Sequence, residues 1–220
     1  MPNRQPSARR TFRLVVRAGL GILVLALGAG TFLVARAATF TDQAPVTDNT
    51  FTTAPCFAGD TGFTDPTATA TDTGGDGDGF ELNPTNAFAD EGGYASNIDG
   101  AGDRQRYYNY GFSISSDCAI EGIEVRLDWW LDDTIGTNSM DVELSWDGGT
   151  SWTAAKTDTQ ETTSEHSVVL GGPADTWGRS WSVAELSDVN FRLRATSNST
   201  SDFRDFYLDW VSVRVYYAPP

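Results

Sequence analysis

Apolar and polar side chains alternate with a period of two through the second half of the chain. Ile123, Val125, Leu127, Trp129 and Leu131 alternate with Glu124, Arg126, Asp128 and Trp130. Met140, Val142, Leu144 and Trp146 alternate with Asp141, Glu143 and Ser145. Phe191, Leu193 and Ala195 alternate with Arg192 and Arg194, and Val211, Val213, Val215 and Tyr217 with Trp210, Ser212, Arg214 and Tyr216. Successive side chains of a strand point to opposite faces, so each run predicts a strand with one buried face. No stretch after residue 40 carries an apolar stripe at helical spacing. Half-buried strands without intervening helices pack as antiparallel sheets, face to face. The expected fold is all-β: an antiparallel, jelly-roll-like β-sandwich of about eight strands.

Ahead of this body the pattern changes. Arg9 to Arg17 is basic, Ala18 to Val34 is apolar, and Ala35-Arg36-Ala37 follows. A basic start, an apolar centre and a small-x-small end make an export signal over residues 1–37, with a mature start at Ala38. An uncleaved membrane anchor is the alternative, although the run is at the lower limit for crossing a bilayer. Any membrane contact is expected only through this segment. Residues 38–62, with Pro45 and Pro55, read as an extended N-terminal arm, and residues 63–218 as the sandwich domain. Within the domain, residues 64–79 are rich in turn formers but alternate at Thr67 to Thr71 as an edge strand would.

Charge narrows the function classes. Fifteen basic and thirty acidic residues give −15 overall, and every acid lies after residue 37. Such a surface repels phosphate backbones, so nucleic acid is not an expected partner. It suits cations and a salty extracellular setting.

Cys56 and Cys118 are the two cysteines. In an exported chain an even count points to one disulfide between them, tying the arm to the strand before Ile120, with two free thiols or a link from Cys56 to another subunit as alternatives. Asp72, Asp76, Asp78 and Glu81 crowd a glycine-rich loop. Oxygen-rich flexible loops suit a structural Ca²⁺, although EF-hand spacing is not met and solvated turn acids are the plainer reading. Asp205 and Asp209 are candidates to complete such a site. No cofactor is required by the sequence. Trp130 and Trp210 fall on the polar faces of their strands, where an indole can stack on a sugar ring or pack under a loop. The single histidine, His166, is read as a solvated residue at a strand edge. No nucleophile-elbow, phosphate-loop or metal-binding His pair is present, so the chain is not expected to be an enzyme.

Ser145-Trp146-Asp147-Gly148-Gly149-Thr150-Ser151-Trp152 resembles the Asp-box, a β-hairpin motif of many extracellular β proteins. The resemblance implies structural roles for Ser145, Asp147, Gly149 and Trp152. Arg9-Arg10-Thr11-Phe12 resembles a twin-arginine export signal, with Ala8 and Arg13 departing from it. Residues 28–51 (GAGTFLVARAATFTDQAPVTDNTF) resemble the signal and start region of camelysin and TasA-type fibre proteins. Asn83 to Asp90, Tyr108 to Ile114, Ile120 to Arg126, Val142 to Gly149, Gly171 to Arg179 and Asp205 to Val211 resemble a β-sandwich repeat of large secreted bacterial proteins. That likeness implies an extracellular, non-catalytic domain and supplies no ligand.

Together these features predict a secreted structural protein, located outside the cell or on its surface. Its expected role is a subunit of a homopolymeric filament or surface layer built by β-strand addition. The arm would donate Phe40, Val46 and Phe51 to a neighbour. The alternative is a carbohydrate-binding or adhesive module that recognises cell-surface glycans.

Overall fold

The computed structural model describes residues 55–220 except residue 91. The segment read as an export signal and the expected donor residues Phe40, Val46 and Phe51 lie outside the described residues. Each alternating run forms a strand, and the inward set of each is buried except for Trp146 and Tyr217 at the strand ends, which are partly buried. Ten strands form two five-stranded sheets among the described residues, and every pairing is antiparallel. The first sheet runs β1 (Gly59–Asp60), β10 (Phe206–Ala218), β5 (Ala119–Leu131) and β8 (His166–Gly172), with β3 (Ala95–Asn97) also on β10. The second runs β2 (Ala68–Asp72), β4 (Arg104–Tyr108), β9 (Arg192–Ser199), β6 (Asn138–Ser145) and β7 (Lys156–Asp158). The only helical elements described are two short 3-10 turns, Pro84–Ala87 and Val183–Leu186.

The core lies between the sheets. Ile123, Val125, Leu127, Trp129, Leu208, Val211 and Val213 of the first sheet meet Tyr107, Met140, Val142, Leu144 and Leu193 of the second, all fully buried. The fold is thus the expected β-sandwich, with its apolar faces removed from water as the main source of stability. Strand β2, read from Thr67 to Thr71, is an edge strand paired to β4 alone.

The end of the arm is already in use. Asp60 pairs with Tyr216 of β10, and Thr64 bridges Val213 on the same strand. Residues 59–64 therefore lie along their own sandwich and not along a neighbour's. Cys56 and Cys118 form the expected intrachain disulfide, across a sequence separation of 62, in place of free thiols or a link to another subunit. It fastens this segment to the loop that enters β5.

Two irregularities in the β5–β10 ladder matter. Leu208 pairs with Trp129 and Trp210 with Asp128, leaving Asp209 as the extra residue of a bulge. Strict alternation would turn Asp209 inward; the bulge places it with Trp210 on the outer face. The second register shift lies between Tyr216 and Tyr217.

Candidate functional site

The outer face of the first sheet carries a cluster of aromatic rings. Trp130 of β5 and Tyr207 of β10 are cross-strand partners, with ring centroids 5.4 Å apart. Tyr94, at the entry to β3, sits edge-on to both, at 5.0 Å from Trp130 and 5.1 Å from Tyr207. Tyr94 is 45% exposed, so its ring is open to a partner while it packs on two others. An open cavity of about 490 Å³ adjoins the cluster, lined by Asp90, Gly92, Gly93, Tyr94, Trp130, Glu165 and Asp209.

The polar lining is acidic. Carboxylate oxygens of Asp90, Asp128 and Glu165 lie within 4.8 Å of one another. Asp128 is buried and takes two hydrogen bonds from Arg126, from Nε at 3.0 Å and Nη2 at 2.8 Å. Arg126 Nη2 also lies 3.8 Å from Asp90 Oδ2. Partial desolvation, then the charges of Asp209, Asp128 and Asp90, raise the Glu165 carboxyl above its ordinary range. Asp90, Asp128, Glu165 and Asp209 outnumber the guanidinium of Arg126 among them, so the cavity is negative.

The two tryptophans read as stacking candidates part company here. Trp130 lines the cavity. Trp210 lies outside it: the Arg126 guanidinium covers its ring at 4.4 Å, Phe63 packs at 6.3 Å, and its Nε1 donates to Asp65 Oδ1 at 2.7 Å. Tyr94, Tyr207, Asp90 and Glu165 escaped sequence reasoning because they come from loops and from a different strand.

The acidic loop after β2 contributes a second cluster. Asp76 and Asp78 converge with Asp103, their carboxylate oxygens within 4.8 Å of one another. Asp72 is turned away into ion pairs with Arg194 at 3.1 Å and Arg106 at 4.0 Å. Glu81 accepts the Ile98 N–H at 2.9 Å. Asp205 accepts the Asp99 N–H at 3.0 Å, while Asp209 belongs to the aromatic cavity. The hydrogen bond with Asp76, partial desolvation, and the charges of Glu81, Asp76 and Asp103 push Asp78 up to about 6.

At 145–152 the chain is held by its own polar groups. Asp147 Oδ1 accepts the N–H groups of Thr150 at 3.1 Å and Ser151 at 2.8 Å, and Ser145 Oγ accepts that of Gly149 at 2.8 Å. Gly148 and Gly149 have φ of 77° and 98°, where a side chain is strained. Trp152 lies under the Arg194 guanidinium at 4.2 Å. His166 is not the solvated residue expected at a strand edge. Its alternation turns it inward, with Nε2 2.8 Å from Asp158 Oδ2, an atom that also accepts Trp129 Nε1–H at 2.8 Å.

No family model matches the chain, and no curated protein matches it. Solved structures do. A CBM32 module of AlyQ in complex with 4,5-unsaturated mannuronic acid is 14% identical, with 69% of this chain and 96% of that one covered and a TM-score of 0.38. The Clostridium thermocellum endo-1,4-beta-D-xylanase 10B CBM22-1 and GH10 modules, complexed with xylohexaose, are 18% identical, covering 56% and 21%, at a TM-score of 0.33. A chain of the Cowpea Mosaic Virus empty virus-like particle is 11% identical, covering 80% and 85%, at 0.27. The site described above stands on this chain's own residues.

Proposed function

We propose that this chain is a secreted, non-catalytic carbohydrate-binding module that engages extracellular or cell-surface glycans through the Tyr94–Trp130–Tyr207 cluster. The observation that supports this most is the meeting of two rings, Tyr94 and Trp130, with carboxylates around one open cavity, with Tyr207 packed against both rings. A pyranose has an apolar C–H face and a rim of hydroxyls. An indole or phenol ring stacks on the face, while carboxylates accept from the hydroxyls. Asp90, Glu165 and Asp209 line the cavity for the second task. The formed Cys56–Cys118 bond fits an oxidising compartment outside the cytosol.

The sign of the cavity narrows the glycan. Excess carboxylate repels uronates and favours neutral or amino sugars. The polymer reading rests on residues 38–54, outside the described residues, and nothing among the described ones favours it over glycan binding.

Affinity electrophoresis of the secreted protein through gels holding xylan, β-glucan, mannan, chitosan or alginate tests the proposal. Retardation by a neutral or amino polymer, abolished by Trp130→Ala and kept by Trp210→Phe, is the expected result. Mobility unchanged in every gel overturns the proposal.

A further inference from the structure

The Asp76–Asp78–Asp103 cluster lies away from the aromatic cavity, and its chemistry is of a different kind. Asp103 stands where the β3–β4 connection enters β4 and is 1% exposed. Its Oδ1 accepts the N–H groups of Asp76 at 2.9 Å and Gly77 at 3.4 Å. Its Oδ2 is buried with no hydrogen-bond partner. A buried carboxylate oxygen without a donor is costly, so such an atom calls for a reason.

A second orphan sits beside it. Asn97, at the end of β3, is fully buried, and its Oδ1 has no partner. Its Nδ2 donates to Gly100 O at 3.1 Å and to Ser197 Oγ at 2.6 Å. Turning the amide over would offer Asp103 a donor, but it would also set Asn97 Oδ1 against the Gly100 carbonyl. The amide is therefore held with its oxygen toward Asp103. A side chain at Gly100 would collide with both orphan oxygens, so they face one small volume that only glycine leaves clear. Gly75, at φ 53°, does the same beside Asp103 Oδ1. A cavity of about 320 Å³ reaches this point and adds Asp99 and Asp202 to its lining.

We propose that Asp76, Asp78, Asp103 and the Asn97 amide oxygen bind one Ca²⁺, which ties the 73–79 loop to the β3–β4 connection. The donors are all oxygen, from carboxylates and an amide, on a glycine-rich loop that can adjust to a large ion. That combination suits Ca²⁺ over Mg²⁺, which demands a stricter octahedron and keeps its waters, and over Zn²⁺, which prefers nitrogen and sulfur. The ion supplies the partner that both orphans lack and offsets the repulsion among three carboxylates. Of the four acids that the sequence singles out, the site takes Asp76 and Asp78. It replaces Asp72, which is committed to Arg194, and Glu81, which holds Ile98, with Asp103 and Asn97 from a distant segment. The site is independent of the glycan proposal.

The test is calorimetric titration of CaCl₂ into the chelator-treated, secreted full-length protein, paired with melting curves in CaCl₂ and in MgCl₂. One Ca²⁺ per chain is expected, with a rise in melting temperature that MgCl₂ at the same concentration does not match. Asp103→Asn removes binding. Because that buried substitution could also disturb folding, Asp78→Asn serves as the second variant: it is exposed, leaves the metal-free melting temperature at or above that of the parent, and weakens Ca²⁺ about tenfold or more. Absence of both heat and stabilisation overturns the proposal. So does binding that survives Asp78→Asn and Asp103→Asn intact, or that is lost with Glu165→Gln in the other acidic cluster instead.

Discussion

Trp130 and Tyr207 face each other across the β5–β10 ladder, ring centroids 5.4 Å apart, while the next residue on β5's side of the pair is the core tryptophan, Trp129. One indole therefore anchors the sandwich and its neighbour points to solvent. Trp130→Ala is expected to weaken glycan binding about tenfold or more, equal to about 1.4 kcal/mol, with little loss of stability. Trp129→Ala is expected to cost about 3–5 kcal/mol of stability. Calorimetric binding and melting curves on the two variants separate the roles.

The pH dependence near the cavity has a definite sign. Glu165 has a folded-state pKa raised above its unfolded value by partial desolvation and by Asp209, Asp128 and Asp90. The folded state then holds the proton more tightly than the unfolded one, and this group's contribution to stability falls as pH rises through the folded pKa. Asp78, pushed up to about 6, acts in the same direction. The effect of Glu165 is thus read as a difference: the melting temperature of Glu165→Gln minus that of the parent grows from pH 4.5 to pH 7. A difference that shrinks over this interval contradicts the assignment.

Asp147 titrates in the opposite direction. Desolvation alone would raise its pKa, but hydrogen bonds from Ser151, Ser145 and Thr150 outweigh it and hold the carboxyl below its ordinary range. Its stabilisation is present at neutral pH and is lost as pH falls through the depressed value. Asp147→Ala, which strands those donors, is expected to destabilise by about 1–3 kcal/mol in denaturant titrations at pH 7.

The disulfide closes a loop with a sequence separation of 62. In the chain-entropy model, this contributes about 4 kcal/mol. Replacing Cys56 and Cys118 by serine is expected to lower the melting temperature by roughly 10 °C while leaving the glycan cavity, built from other segments, able to bind.

Much of this was legible in the sequence, for a physical reason. A period of two is a direct consequence of strand geometry, so Ile123 to Leu131 announced both a buried face and an outward Trp130. The disulfide followed from a count of two cysteines behind a segment that reads as an export signal. What alternation could not reveal was the bulge at Asp209, since one extra residue reverses the facing of a side chain without any change in composition. Nor could it reveal convergence. Tyr94 reaches Trp130 because β3 pairs with β10, and Asp103 reaches Asp76 through the loop after β2. Such meetings are set by sheet topology, and neighbouring residues carry no trace of them. Trp210 shows the converse case: its outward facing was readable, while the Arg126 guanidinium that covers it was not.

The most direct measurement follows the tryptophan indole N–H resonances of the ¹⁵N-labelled protein, assigned with Trp130→Phe and Trp210→Phe, during titration with an oligosaccharide of the retarding polymer. Glycan binding at the three-ring cluster predicts that the Trp130 indole signal moves saturably while that of Trp210 stays in place. An unmoved Trp130 signal at saturating oligosaccharide, or movement confined to Trp210, contradicts it.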